Sequence, residues 1–230
     1  MSVVDEVRTK GSWETIIRPR VFMKDRIPDL ISMPHQLATL SIQRRGWDFP
    51  HVDRSEASEN GNDWVGQETR WNMFREAWRV AGSGQFVHVS GFRYDWGEPP
   101  DYLSLTQEIE SGATLMGMGD SLYRLSEIFE FSQRWMLHIG SSEGVGLNIK
   151  ITGLLNRQLV IDNPDRIASR AKYVSRVAEP FTWDYEIESG ASLQELWKQA
   201  RTAATKLFGR FGFKANEQVL EDWQSKIGKW

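Results

Sequence analysis

Five of the chain's eleven tryptophans, Trp47, Trp64, Trp71, Trp78 and Trp96, fall between Arg44 and Trp96, interleaved with Arg44, Arg45, His51, Asp53, Asp63, Arg70, Arg75, Arg79, Arg93 and Asp95. Aromatic faces beside guanidinium and carboxylate groups can brace a core or present a recognition surface, because the rings stack and their edges carry donors. Arg44, Arg45, Trp47, His51, Asp53, Asp63 and Trp64 form one candidate binding face, since the polar loop 54–63 returns the chain towards its start. The same segment offers nitrogen and oxygen donors for a competing reading, a metal-dependent hydrolase or nuclease built from His51, Asp53, Asp63 and His88. No spacing resembles HExxH, and the four histidines are scattered. A histidine in mid-strand, as His88 is expected to be, is more often structural, so no metal ligand is assigned.

Acid–base catalysis needs two carboxylates at a defined separation. Asp48, Asp53, Asp63 and Asp95 each neighbour an aromatic, but the expectation is that they pair with Arg44, Arg45, Arg70 or Arg79 and brace a sheet. There is no GxSxG elbow and no P-loop, and Gly117-Met118-Gly119 lacks the preceding strand that a dinucleotide fingerprint demands, so no catalytic residue and no cofactor is assigned. Two segments are locally basic. Arg166, Arg170, Lys172 and Arg176 have no acid between them, and Lys198, Arg201, Lys206, Arg210 and Lys214 fall in a helical region. Set opposite the apolar stripe of that helix, Lys198, Arg201, Lys206 and Arg210 would make a cationic ridge that touches phosphates without reading bases. A solvated helix face is the commoner explanation of such a pattern.

The elements that must position these residues belong to a globular chain. A length of 230 residues, 40% hydrophobic and 26% charged with 12% aromatic, can bury a sizeable core without disulfides or metals. The net charge of −3 gives no global attraction to nucleic acid or anionic lipid, so such binding needs a local patch. Zero cysteines exclude disulfides, thiolate nucleophiles and Cys-based metal sites. The opening MSVVDEVRTKGSWETIIRPRVF has no signal-peptide core, and no run approaches the roughly 20 apolar residues of a span; the expectation is a cytoplasmic protein without a membrane partner.

Trp13 to Phe22 reads as a strand that Pro19 pushes to a sheet edge, and a helix starts near Pro34 carrying Leu37 and Leu40 inward. Arg44 to Asp53 is an extended corner and Arg54 to Asp63 a loop. Trp71 to Val80 and Gln85 to Tyr94 read as a hairpin about Ala81-Gly82-Ser83-Gly84, with helix an alternative for the first. Gly97-Glu98-Pro99-Pro100 is the best internal break. Ser121 to Leu137 is a helix with Asp120 as N-cap and Gly140 beyond its end. Leu147, Ile149 and Ile151 alternate as a half-buried strand, Gln158 to Ile161 is expected to pair with it, and Thr182 to Ile187 adds another. Ser192 and Glu195 have capping-box spacing before the stripe Leu193, Leu196, Trp197, Ala200, Ala204, Leu207, Phe208 and Phe211. Asn216 caps a last helix using Val219, Leu220, Trp223 and Ile227. Glu110 to Leu115 echoes Glu188 to Leu193, which suggests a shared way of entering the two long helices.

The segments RRGWDFPHVD, GNDWVG, FREAWRVAGSGQFVH, FRYDW and SLYRLSEIFEF together resemble an uncharacterised bacterial family. Similar regions occur in proteins related to Schlafen-type nucleic-acid-binding proteins. The likeness covers about Trp13 to Phe213. It implies an accessory or sensing role more than catalysis, and supplies no catalytic residues. The expected fold is α+β, a mostly antiparallel sheet covered by two long amphipathic helices, as one domain over 1–230 or two lobes divided near 97–100. The expected function is a non-enzymatic interaction module with a protein partner and a capacity for nucleic acid, in a bacterial multi-component system such as phage defence.

Overall fold

The computed structural model describes residues 1–55, 57–163 and 171–226. Helix α1 (Val3–Arg8) precedes strand β1 (Ser12–Pro19), helix α2 (Met33–Leu40) and four strands, β2 (Glu59–Asn60), β3 (Trp64–Trp71), β4 (Phe74–Ala81) and β5 (Phe86–Gly91). A 3-10 turn at Arg93–Asp95 and helix α3 (Asp101–Thr106) lead to β6 (Thr114–Gly117) and the long helix α4 (Met118–His138). Then follow β7 (Val145–Ile151), β8 (Arg157–Val160), β9 (Tyr173–Val174), β10 (Phe181–Ile187), α5 (Leu193–Gly209) and α6 (Glu217–Gln224). The fold is α+β. Its main sheet has the order β10-β7-β1-β5-β4-β3-β2, antiparallel throughout. A smaller sheet, β6-β8-β9, begins with a parallel pair. Among the described residues no helix is long and apolar enough to cross a membrane.

Strand alternation and helix burial explain the layers. In β7, Val145, Leu147, Ile149 and Ile151 are buried while the residues between them are half-exposed, so one face of the sheet is apolar. Helix α4 contacts β1 and β7 on one hand and α5 on the other, and its residues are buried nearly all round. It therefore lies between the sheet and α5. The capping box Ser192–Glu195 starts α5, whose Leu196, Ala200, Ala204, Leu207 and Phe208 reach the common core. Asn216 accepts from the N–H groups of Gln218 and Val219 to start α6, where Leu220 and Trp223 are buried and Val219 is exposed. Ile227, Arg166 and Arg170 lie outside the described residues.

Several expectations need correction. Strand β1 is central, paired with both β5 and β7; its pairing with β5 stops at Ile17, so Pro19 faces only one neighbour and its missing N–H costs the sheet little. Strand β3 is an addition to the expected elements, and Trp71 belongs to it and not to β4, because residues 71–74 form the hairpin tip, with Asn72 at φ 48°. The loop before Asp63 contains the short strand β2, which takes the edge beside β3. Strand β8 pairs with β6 and β9 instead of β7. A strand, β6, does precede Gly117-Met118-Gly119, and α4 begins at Met118 with Asp120 inside its first turn. The echoed Glu110 and Glu188 segments each close a turn, Ala113 N–H to Glu110 and Ala191 N–H to Glu188, but only the second opens directly into a helix.

Candidate anion-binding cleft

Where β4 and β5 pass the first turns of α4, a cleft of about 510 Å³ opens. The loop after α2 contributes Arg44, Arg45 and Trp47; the hairpin tip and β4 contribute Met73, Phe74, Arg75 and Glu76. The end of β5 and the 3-10 turn add Ser90 and Arg93, α4 adds Asp120, Tyr123 and Arg124, and the chain after β8 adds Asp162 and Asn163. Five arginines and three carboxylates line it, and Glu130, Glu127 and Glu6, just outside the lining, pair with Arg44, Arg45 and Arg75.

Most of the charges are tied down. Arg45 grips Glu127 through two hydrogen bonds of 2.7 Å and donates a third, at 2.8 Å, to Asp120. Burial opposes its charge, but the two carboxylates overcome that and push its pKa further up. Arg44 donates to Glu130 at 3.0 Å, and Arg134 reaches the same carboxylate at 2.9 Å. Glu76 is buried; the backbone N–H of His51 donates to it at 2.8 Å and the indole N–H of Trp47 at 3.3 Å. Burial would raise its pKa, but His88, the Arg124 charge and the His51 N–H together hold it below the usual range. Burial lowers the pKa of His88, whose Nε2 lies 3.4 Å from Glu76.

Arg124 is different. It is 8% exposed, its Nη1 is fully buried without a hydrogen-bond partner among the described residues, and Oε2 of Glu76 stands 3.9 Å away, too far to satisfy it. The Oγ of Ser90, a buried residue in register with Glu76, likewise has no partner there. Arg93 makes no ion pair with a described residue; its Nε contacts Sδ of Met73 and its guanidinium lies 5.9 Å from the Phe74 ring.

The helix N-terminus at the cleft floor is occupied by the protein itself. Asp162 accepts from Gly119 N–H at 2.6 Å and Asp120 N–H at 3.0 Å, capping α4 from outside the helix. A Cβ on Gly117 would overlap this carboxylate and one on Gly119 would stand 2.9 Å from it, which explains both glycines. The expected N-cap, Asp120, instead binds Arg45. Burial and then the nearby Asp120 charge push the Asp162 carboxyl up to about 6. For Asp120, burial would raise the pKa, but Arg45 and then Arg124 carry it below the usual range.

The expected binding face does not form as one unit. Arg44, Arg45 and Trp47 line the cleft, with Trp47 buried. His51 stacks on Trp47 at 3.8 Å. Asp53 turns away, its N–H bonded to Gln67 and its carboxylate to Ser55. Asp63 and Trp64 sit at the far end of β3 from Trp71, seven residue steps or roughly 23 Å along the strand. Trp64 there stacks with Arg79 at 4.3 Å. Loop 54–63 returns the chain to the wrong end of the sheet for a single cluster. His51, Asp53, Asp63 and His88 accordingly make no common site, and among the described residues no group of three or more His, Asp or Glu could hold a metal. The bracing pairs also differ from those expected: Asp95 pairs with Arg157, Asp48 accepts from Gln43, and Arg70 pairs with Glu6.

Nor is there a continuous cationic ridge on α5. Arg201 and Arg210 are nine residues apart, two and a half helical turns, and so point in opposite directions. Arg201 is drawn into α6 by Gln224 at 2.6 Å and Glu221 at 3.6 Å, while Lys206 lies over the Trp183 ring of β10. Lys198 is exposed and Arg210 half-buried. In the other basic segment, Lys172 pairs with Glu108 and Arg176 donates to Asn156.

Arg93 enters the sequence reading only as part of the Trp-rich stretch, and Tyr123, Arg124 and Asp162 are not singled out by it. A signal was present: Arg124, Glu127 and Glu130 recur every third residue along a helix otherwise rich in apolar side chains, and charges so placed must be buried with partners. No family model matches the chain, and neither a curated protein nor a solved structure matches it.

Proposed function

We propose that the protein is a non-enzymatic recognition module that holds a phosphate-bearing ligand of the nucleic-acid class in the cleft between α4 and the β4–β5 pair. The observation that supports this is Arg124, a residue of the cleft lining whose buried Nη1 has no hydrogen-bond partner among the described residues. Leaving such a donor unmet costs about 1–3 kcal/mol, which a phosphate oxygen would recover once the guanidinium turns to present it. Arg93, an exposed residue of the lining, supplies further donors. Binding without turnover fits the carboxylates, each already committed: Glu76 to Trp47 and His51, Asp120 to Arg45, Asp162 to the α4 N-terminus.

Inorganic pyrophosphate and short oligonucleotides, titrated at low salt with tryptophan fluorescence as the readout, test this reading. Saturable binding weakened by Arg93→Ala is expected. Absence of binding by every phosphate compound would remove the proposal.

A separate feature favours a protein partner. Val21, Phe22, Met23 and Ile31, in the segment between β1 and α2, are all exposed, Phe22 by 78% and Ile31 by 87%. Apolar side chains so displayed suit a protein interface. An accessory component of a bacterial multi-component system such as phage defence would use both features, one for the ligand and one for its partner. Co-purification with and without Phe22→Ser and Ile31→Ser checks the second.

A further inference from the structure

Trp71 is 60% exposed at the β3–β4 hairpin tip, yet its ring is held in a fixed plane. Trp47 stacks on Phe74 at 3.9 Å with 2° between planes and on His51 at 3.8 Å with 16°. Two rings that close must occupy opposite faces of the indole. Trp71 joins the stack nearly parallel, 7° from Trp47 at 5.5 Å and 8° from Phe74 at 6.3 Å. The buried Trp47, fixed by its bond to Glu76, thus aligns an exposed indole. Trp47 and Phe74 also line the cleft that holds Arg93 and Arg124, whereas Trp71 lies outside that lining.

Resting on the phosphate-binding reading of the cleft, we infer that Trp71 is a stacking platform for a nucleobase, and that the ligand is a single-stranded nucleic acid running from the arginine cleft onto the hairpin tip. An indole face accepts any base, so the contact is tolerant of sequence, while the arginines take the backbone. A strand is favoured over a mononucleotide because Arg93 and Arg124 in the cleft can take more than one backbone phosphate while Trp71 takes a base. It is favoured over a duplex because stacked pairs offer no free base face along their length.

The test compares a hexathymidylate strand, thymidine monophosphate, a blunt duplex and inorganic pyrophosphate on the intact protein and on Trp71→Ala and Trp71→Phe. Trp71 is exposed, so both variants are expected to fold, which circular dichroism checks. Trp71→Ala should weaken the hexanucleotide on the order of 5- to 150-fold, Trp71→Phe should restore most of that, and pyrophosphate should bind all three proteins equally. Pyrophosphate binding with an unchanged hexanucleotide affinity in Trp71→Ala would overturn the platform and leave the cleft reading intact. Thymidine monophosphate or the duplex binding as tightly as the hexanucleotide would overturn the single-strand assignment. Failure of pyrophosphate and strand alike would overturn the cleft reading and this inference with it.

Discussion

Arg157 and Asp95 are joined by two hydrogen bonds of 2.8 Å with neither side chain exposed to solvent. The guanidinium also donates to the carbonyls of Gly153, Leu115 and Lys10 and lies 3.8 Å from the Phe92 ring. One side chain on β8 thereby ties the small sheet to the end of β5 and to the chain entering β1. Removing one partner strands the other charge in the interior, so Arg157→Met should destabilise the fold by about 3–5 kcal/mol. Urea unfolding with an unchanged slope would measure it. A loss below about 1 kcal/mol would show that solvent reaches Asp95.

That pair also marks the limit of what local pattern discloses. The alternation of β7 and the capping box of α5 are readable because the residues that enforce them lie within a few positions of one another. The partner of β8 is not, since β6 lies more than forty residues earlier and forms a parallel ladder with it. Nor is the cap of α4, since Asp162 folds back across a similar separation to fill a position that sequence assigns to its neighbour Asp120. The cleft is half legible. Arg44, Arg45 and Trp47 announce themselves by type, whereas Arg93, Arg124 and Asp162 depend on which strands end beside α4.

The glycines under Asp162 give a second prediction. Gly117→Ala places a methyl against the Asp162 carboxylate and should cost about 1–3 kcal/mol through overpacking and disruption of the α4 cap. In an Asp162→Ala background the obstruction is gone, so the same substitution should cost much less. A double-mutant cycle reads the coupling directly. Additive effects would mean that Gly117 is retained for another reason.

Asp162 also sets a pH dependence. Its carboxyl is pushed up to about 6 in the folded protein, against about 3.9 in an unfolded chain. Between those values the folded state holds a proton that the unfolded state has released, so this group's contribution to stability falls as pH rises from about 4 to about 6. Ligand binding follows the same proton. A phosphodiester keeps its charge over this range, so the affinity of an oligonucleotide should rise as pH falls through 6, when one cleft carboxylate becomes neutral. Asp162→Asn should bind more tightly than the native protein at pH 7 and lose that dependence. A wild-type affinity that is flat between pH 5 and 7.5 would contradict the assignment.

The last prediction separates the cleft from the basic side of α5. Lys198 is exposed and Lys206 lies over Trp183, so reversing both charges leaves the buried stripe of α5 intact. If phosphates are held in the cleft, Lys198→Glu with Lys206→Glu should change affinity only slightly and leave the salt dependence of binding unaltered. Arg93→Ala should instead lower the slope of log affinity against log salt by roughly 0.7, because one fewer phosphate of a single strand is then neutralised. Arg93 is exposed and makes no ion pair with a described residue, so its removal should cost no more than about 0.5 kcal/mol of stability. Mobility shifts across a salt series, run on both variants, decide between the two surfaces. A flattened slope in the α5 variant with an unchanged slope in Arg93→Ala would move the binding site from the cleft to the helix.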